Sequence, residues 1–412
     1  MLIKQHHLLS NLNSFAKLIR RFNLLQKISY LRLYFILECY HHCLRPTSKG
    51  LGFKMSRRNL HLKASIFRVL QALGRYCDLY LSYPFPQRPS FIRKVPATVG
   101  DVPGSFDLFF YTPTSYDSRN KRHGKASNST SPITQSEKYP LLVNFHGGGW
   151  TIGHPSDDAR WAMEVNELTG AVVVSVDYRL APEHPFPIGN DDCVSAILYL
   201  WRHADELNLD ISRTALSGFS AGGNFCFTVA YRLHEELRRL RQDDQIRDSE
   251  IGKLTSIVSF YPVVDWSNPR PVRSPSNPQL TPVIPSFLGG FFDNIFEDSY
   301  LYPKSEIDLH SPLISPGLAP DEMVRDTLPE NVVIFTCWKD TLRREGDIFR
   351  ERLRTLGKTV DGYMIGGVPH GWDKWPSMWW GNASRNKAYK DACDSLNESW
   401  GSANGVTSAT RE

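Results

Sequence analysis

The chain has 412 residues, 41% hydrophobic and 22% charged, which is enough apolar mass for one large α/β domain with insertions or two smaller ones. Its net charge of +5 is uneven: residues 1–54 hold nine Lys/Arg against one acid, Glu38, so the remainder of the chain is net acidic. That balance excludes the basic body that a nucleic-acid partner requires.

In the leader, Phe15, Leu18, Ile19 and Phe22 recur at helical spacing beside Lys17, Arg20 and Arg21. An apolar run over residues 28–37 follows, but Arg32 interrupts it, and no stretch reaches the roughly 18 apolar residues of a spanning helix. Three readings stay open for residues 1–54: a basic amphipathic helix in contact with a membrane surface, a transit peptide, or a leader upstream of a true start at Met55. Cytoplasmic and ER-membrane-associated locations are both compatible with them, and the oligomeric state is not legible.

Residues 55–95 are expected to be N-terminal cap helices, because Leu60, Ile66, Phe67, Val69, Leu70 and Leu73 form a helical stripe ahead of the proline-rich segment 83–89. The run 106–111 suits an edge strand, and the polar segment 114–138 a disordered surface loop. From residue 139 short β-branched runs (141–145, 171–176, 214–217, 256–260, 332–335 and a weaker 360–365) alternate with helical stretches at 157–168, 191–207, 221–241 and 344–356. Strands apolar on both faces that alternate with helices predict a mostly parallel sheet with helices on both sides, its ligand site beyond the strands' C-terminal ends. The core so defined covers residues 96–265 and 329–400, with a tail at 401–412. Between its halves, residues 266–328 are too long for a connection and too apolar for a linker, and are expected to form a cap insertion with the N-terminal helices. The seven cysteines include no C-x-x-C pair and sit mostly in apolar runs, which reads as buried free thiols.

The stretch Gly218-Phe219-Ser220-Ala221-Gly222-Gly223-Asn224 lies where a strand gives way to a helix. Glycines there permit a sharp turn that presents the Ser220 hydroxyl at a helix N-terminus. The pattern recurs by chance in a chain of this length, so its neighbours matter. His146-Gly147-Gly148-Gly149-Trp150 directly follows a strand, so Gly147, Gly148 and Gly149, with Ala221, are candidate backbone donors to an oxyanion, with His146 supporting the turn. Asp340 closes the strand of residues 332–338 and His370 follows the last strand. Nucleophile, carboxylate and imidazole thus occur in the order Ser…Asp…His from loops at one sheet edge. A hydroxyl needs an imidazole to take its proton, and the imidazole needs an orienting carboxylate. Asp347, inside a helix, and Asp373, beyond the base, are weaker rivals for the acid. Trp150 and Phe219 are expected in the substrate pocket.

Together with 177–187 (Asp-Tyr-Arg-Leu-Ala-Pro-Glu-His-Pro-Phe-Pro), Asp340-Thr341-Leu342-Arg343 and Pro369-His370-Gly371, these blocks resemble the hormone-sensitive lipase group of α/β-hydrolases, which includes arylacetamide deacetylases and fungal acetyl-ester hydrolases. The resemblance spans residues 100–380. It implies the α/β-hydrolase fold, the triad Ser220, Asp340 and His370, oxyanion donors from the glycine loop and Ala221, and no cofactor or metal. Segment 177–187 is read as scaffolding that ties a loop beneath the oxyanion turn. Phe219 stands where the family often has an acid, and Thr341 and Arg344 where it more usually has Pro and Asp, departures that bear on the acyl pocket. The expected function is a serine carboxylic-ester hydrolase acting on short, acetyl-like esters of hydrophobic alcohols. Alternatives are an amidase or deacetylase, or an acyltransferase, on the same site, or a non-catalytic small-molecule receptor on the same fold. The receptor relatives lack the catalytic histidine, whereas His370 is present.

Overall fold

Uncharged β-branched and aromatic runs build the centre of the fold, in a computed structural model that describes residues 56–81, 84–116, 138–267, 294–374 and 382–401. The leader 1–54, most of the polar loop 114–138, residues 268–293 of the expected cap insertion and nearly all of the tail lie outside the described residues. The strands are β1 (Phe91–Pro96), β2 (Ser105–Tyr111), β3 (Tyr139–Phe145), β4 (Val172–Asp177), β5 (Leu209–Phe219), β6 (Leu254–Phe260), β7 (Asn331–Lys339), β8 (Thr359–Asp361) and β9 (Met364–Pro369). They form one sheet in the order β1-β2-β4-β3-β5-β6-β7-β8, with β9 also pairing with β7. The pairings β1–β2 and β2–β4 are antiparallel and the others parallel.

Successive side chains of a strand point to opposite faces, and both faces here are apolar. Leu141, Val143, Phe145, Val172 and Val174 pack on one side, with α3 (Ile188–Arg202), α4 (Ala221–Gln242) and α7 (Arg343–Thr355). Leu142, Val173, Phe219 and Phe260 pack on the other, with α2 (Ala159–Thr169) and α8 (Ala383–Trp400). Each fully buried aliphatic or phenyl side chain contributes about 1.5–3 kcal/mol relative to exposure. Cys193, Cys226, Cys337 and Cys393 are buried free thiols within these layers, whereas Cys77 is exposed. Three short or terminal helices complete the described elements: α1 (Arg57–Leu81), α5 (Ile295–Tyr300) and α6 (Asp321–Thr327). Ala64 of α1 and Ile295 of α5 are buried against one another, and Phe67 and Phe296 meet with ring centroids 5.8 Å apart. No helix among the described residues is long and apolar enough to cross a membrane.

Three local expectations need correction. Residues 55–95 are not helical throughout: one helix ends at Leu81, and residues 91–96 form the edge strand β1. In β1 the charged Arg93 and Lys94 interrupt the apolar run, while Phe91 and Val95 still face the core. Residues 106–111 are therefore an interior strand, flanked by β1 and β4. The weak strand at 360–365 is two strands, β8 and β9, parted at Gly362. The Gly362 φ is +86°, and a Cβ there would lie 2.3 Å from the Ile334 carbonyl oxygen, so the chain turns where only glycine fits.

Candidate active site

Parallel strands deliver their following loops to a common edge. Here β3 delivers His146 and the glycine run, β5 Ser220, β7 Asp340 and β9 His370. The turn between β5 and α4 is tight: a Cβ on Gly222 would lie 1.9 Å from the Phe145 carbonyl oxygen, and one on Gly218 2.2 Å from that of Gly222. Ser220 itself has φ +54°, a conformation costly for a residue with a side chain and one that clusters at functional sites. Its backbone is held there because its N–H donates to the Phe260 carbonyl at 2.9 Å and its carbonyl accepts from Asn224 at 3.0 Å.

The three side chains expected to act together are in contact. His370 Nε2 lies 2.8 Å from Ser220 Oγ, and His370 Nδ1 lies 2.6 Å from Asp340 Oδ2. The other oxygen of Asp340 accepts the Leu342 backbone N–H at 3.0 Å, which fixes the carboxylate plane. Burial acts to lower the His370 pKa, but the charge of Asp340 and its hydrogen bond outweigh that, with a smaller push from Asp373, and the net direction is upward. The Tyr261 ring meets the imidazole edge-on at 4.7 Å between centroids. An imidazole bridged in this way can take a proton from the hydroxyl through Nε2 while the carboxylate holds Nδ1–H.

The two rival acids are engaged elsewhere. Asp347 sits in α7 and accepts from Thr336 Oγ1 at 2.8 Å and from Arg350 at 3.1 Å. Asp373 is buried, accepts from the Tyr261 and Tyr389 hydroxyls at 2.5 and 2.7 Å, and pairs with Lys374.

The glycine run curls back on itself, with Gly148 at φ +118° and its carbonyl accepting from Thr151 and Ile152. No acceptor among the described residues takes the N–H of Gly148, Gly149 or Ala221. His146 is buried and stacks on Tyr178 at 4.3 Å. Burial pushes its pKa down to about 4, so it is neutral at neutral pH, with Nδ1 2.8 Å from the Gly147 carbonyl, which accepts from it. Segment 177–187 behaves as scaffold: the Tyr178 hydroxyl donates to the His146 carbonyl at 2.9 Å, the Ala181 N–H donates to the Trp150 carbonyl at 2.8 Å, and Arg179 pairs with buried Asp192.

Trp150 and Phe219, expected in the substrate pocket, are both buried. Both are core side chains: Trp150 stacks on Tyr300 at 4.2 Å, and Phe219 stacks on Phe260 at 4.5 Å beneath the Lys374 ammonium. Phe219 is the last residue of β5, so its side chain follows the strand's alternation into the sheet face while Ser220 turns outward. Thr341 and Arg344 line a cavity of about 250 Å³ with Val264 and Phe349, and no triad residue lines it. The residue against the glycine loop is one the sequence did not single out. Phe296 of α5 stands so close that a Cβ on Gly149 would meet its ring at 2.4 Å.

A family model described as alpha/beta hydrolase fold matches residues 142–374, more than half of the chain and all of the clustered loops. The chain belongs to the alpha/beta hydrolase fold family. Within it, the chain falls in the hormone-sensitive lipase-like group. It is 31% identical to Lipase 2 of Moraxella sp. (strain TA144), over 80% of this chain and 84% of that protein. It is 30% identical to an arylesterase of Saccharolobus solfataricus over 58% of this chain and 70% of that one. An AB hydrolase superfamily protein of Schizosaccharomyces pombe is 29% identical over 56% of the chain, and the chain spans 63% of that relative's length. Among solved structures, a thermostable esterase from Pseudomonas putida superposes with a TM-score of 0.61 at 19% identity, covering 88% of this chain and 96% of that one, a likeness of fold.

Proposed function

We propose that this hydrolase is a serine carboxylic-ester hydrolase that acts through Ser220, His370 and Asp340 on short-chain esters of hydrophobic alcohols. One observation carries the reading: His370 bridges Ser220 Oγ and Asp340 through its two ring nitrogens, at 2.8 and 2.6 Å. Relatives named arylesterase, carboxylesterase and carboxylic ester hydrolase support the reaction class.

The steps follow from the side chains. His370 Nε2 removes the Ser220 proton as Oγ attacks the ester carbonyl carbon. The carbonyl oxygen becomes an oxyanion and is held by the N–H groups of Gly148, Gly149 and Ala221, at the start of a 22-residue helix whose N-terminal dipole favours negative charge. The imidazolium, stabilised by Asp340, returns the proton to the departing alkoxide. Water, deprotonated by His370, then attacks the acyl carbonyl; the acyl–Oγ bond breaks, His370 returns the proton to Ser220 Oγ, and the acid is released.

His370 must be neutral to act as base, and its pKa is raised. The acid limb of kcat/KM against pH should therefore have its midpoint above the ordinary histidine value of about 6.5. A pH–rate profile on a neutral ester reads this directly, and a midpoint well below that value would contradict the Asp340–His370 pairing.

Helices α1 and α5 are proposed as the described part of the cap, with Phe296 narrowing the space beside the oxyanion donors. In a series of p-nitrophenyl esters, acetate should exceed octanoate in kcat/KM by about tenfold or more, since each misfitted methylene costs on the order of 1 kcal/mol. Phe296→Ala should compress that ratio. Faster turnover of octanoate by the wild type would sink the short-chain reading.

A further inference from the structure

The polar side of α1 has no partner in the mechanism above, yet its side chains converge on the loop that carries the oxyanion donors. Arg68, Gln71 and Arg75 stand three and four residues apart, on one face of the helix. Arg68 donates through Nε to the Thr151 carbonyl at 2.8 Å and through a terminal nitrogen to the Ala181 carbonyl at 2.8 Å. The same guanidinium grips Glu183 with two bonds of 3.1 and 2.7 Å. Gln71 accepts the Gly153 N–H at 2.7 Å and donates to Asp157 Oδ2 at 2.9 Å. Arg75 donates to Asp157 Oδ1 at 2.7 Å.

These contacts fall on residues 151–157, downstream of the glycine run, or on the segment that braces it. Thr151 and Ile152 donate to the Gly148 carbonyl, and a Cβ on Gly148 would lie 2.2 Å from the Ile152 carbonyl oxygen, so the turn at 148 and the strand of chain at 151–153 move together. Ala181, gripped by Arg68 through its carbonyl, donates its N–H to Trp150. Asp157, held by both Gln71 and Arg75, in turn accepts the His154 N–H at 3.0 Å. Gly148 and Gly149 have positive φ, a soft conformation for glycine, so their N–H directions depend on what anchors the chain on either side. On the upstream side the anchor is β3. Downstream it is α1, whose Gln71 and Arg68 lie 82 and 83 residues from their partners Gly153 and Thr151.

We propose that Arg68, Gln71 and Arg75 are positioning residues for the oxyanion hole: docking of α1 aims the N–H groups of Gly148 and Gly149, so the helix contributes to transition-state stabilisation as well as covering the site. None of the three touches Ser220 or His370, and they act only through the 151–157 loop and the 181–183 brace. The inference rests on the assignment of Ser220 and the glycine loop under the proposed function.

The test uses the full chain with Gln71→Met, which keeps side-chain length but removes both bonds, and Arg75→Gln as a second, milder variant. Losing an oxyanion donor outright costs about 10²–10³ in kcat, and misaiming should cost part of that, about tenfold to a hundredfold. KM should stay within about twofold, because the ground-state ester gains little from these donors. Affinity for an aryl trifluoromethyl ketone, whose adduct with the serine carries the oxyanion, should fall by the same factor as kcat. Affinity for the product alcohol should not move. A merely structural role would lower the melting temperature and leave kcat and ketone affinity unchanged in the folded fraction, and that result would overturn the inference. Ser220→Ala separates the two levels. If it retains turnover, the assignment of the nucleophile fails; if it is inactive and both helix variants match the wild type, only the role of α1 fails.

Discussion

Ser220→Ala is expected to lower kcat for ester hydrolysis by a factor on the order of 10⁶, to the level that binding and the oxyanion donors sustain alone. The protein should remain folded. Ser220 Oγ makes its hydrogen bond to His370, and the elbow around it is held by backbone bonds to Phe260 and Asn224 that alanine keeps. Ser220→Gly sharpens the point. With φ at +54°, the serine carries backbone strain of about 1–3 kcal/mol that glycine relieves in part. The glycine variant should therefore be as inactive as the alanine variant and melt at a higher temperature than the wild type. A lower melting temperature would show that the turn is not strained by its side chain.

Asp340→Asn should cost about 10⁴ in kcat with little change in the melting temperature. The reason is the tautomer. Asp340 accepts from the Leu342 N–H with one oxygen and holds His370 Nδ1 with the other. In the asparagine variant the carbonyl oxygen keeps the Leu342 bond, so the amide NH₂ faces Nδ1 and donates to it. The imidazole then carries its proton on Nε2, facing Ser220, and cannot accept the serine proton. Removal of the charge also lowers the His370 pKa, so residual activity should show an acid limb displaced to lower pH than in the wild type. Loss of activity with an unmoved limb would mean that Asp340 acts on something other than the imidazole.

Much of this site is legible in the sequence because steric demands leave local marks. Gly218 and Gly222 are needed where two backbones meet within van der Waals distance, and β-branched runs of five or six residues cannot be mistaken when helices punctuate them. Asp340 and His370 are recognisable by their place just past a strand. What was not legible depends on contacts between distant segments. Phe219 borders Ser220 in sequence, but strand alternation sends it into the core, and only the sheet's packing shows which face receives it. Phe296 reaches Gly149 from a helix 147 positions later in the chain, with no pattern around it that predicts the meeting. Strand β1 was hidden by Arg93 and Lys94, which an edge position tolerates because one side of the strand faces water. The bonds from Arg68, Gln71 and Arg75 to residues 151–157 are likewise invisible to periodicity, which registers only the apolar face of α1.

Whether Ser220 is the nucleophile is read by intact-mass analysis after brief exposure to a fluorophosphonate, followed by peptide mapping. The wild type should carry one adduct per chain, located on Ser220, formed at a rate that follows the neutral fraction of His370 and absent from Ser220→Ala. An adduct on a different residue, or one that persists in Ser220→Ala together with ester turnover, would contradict it.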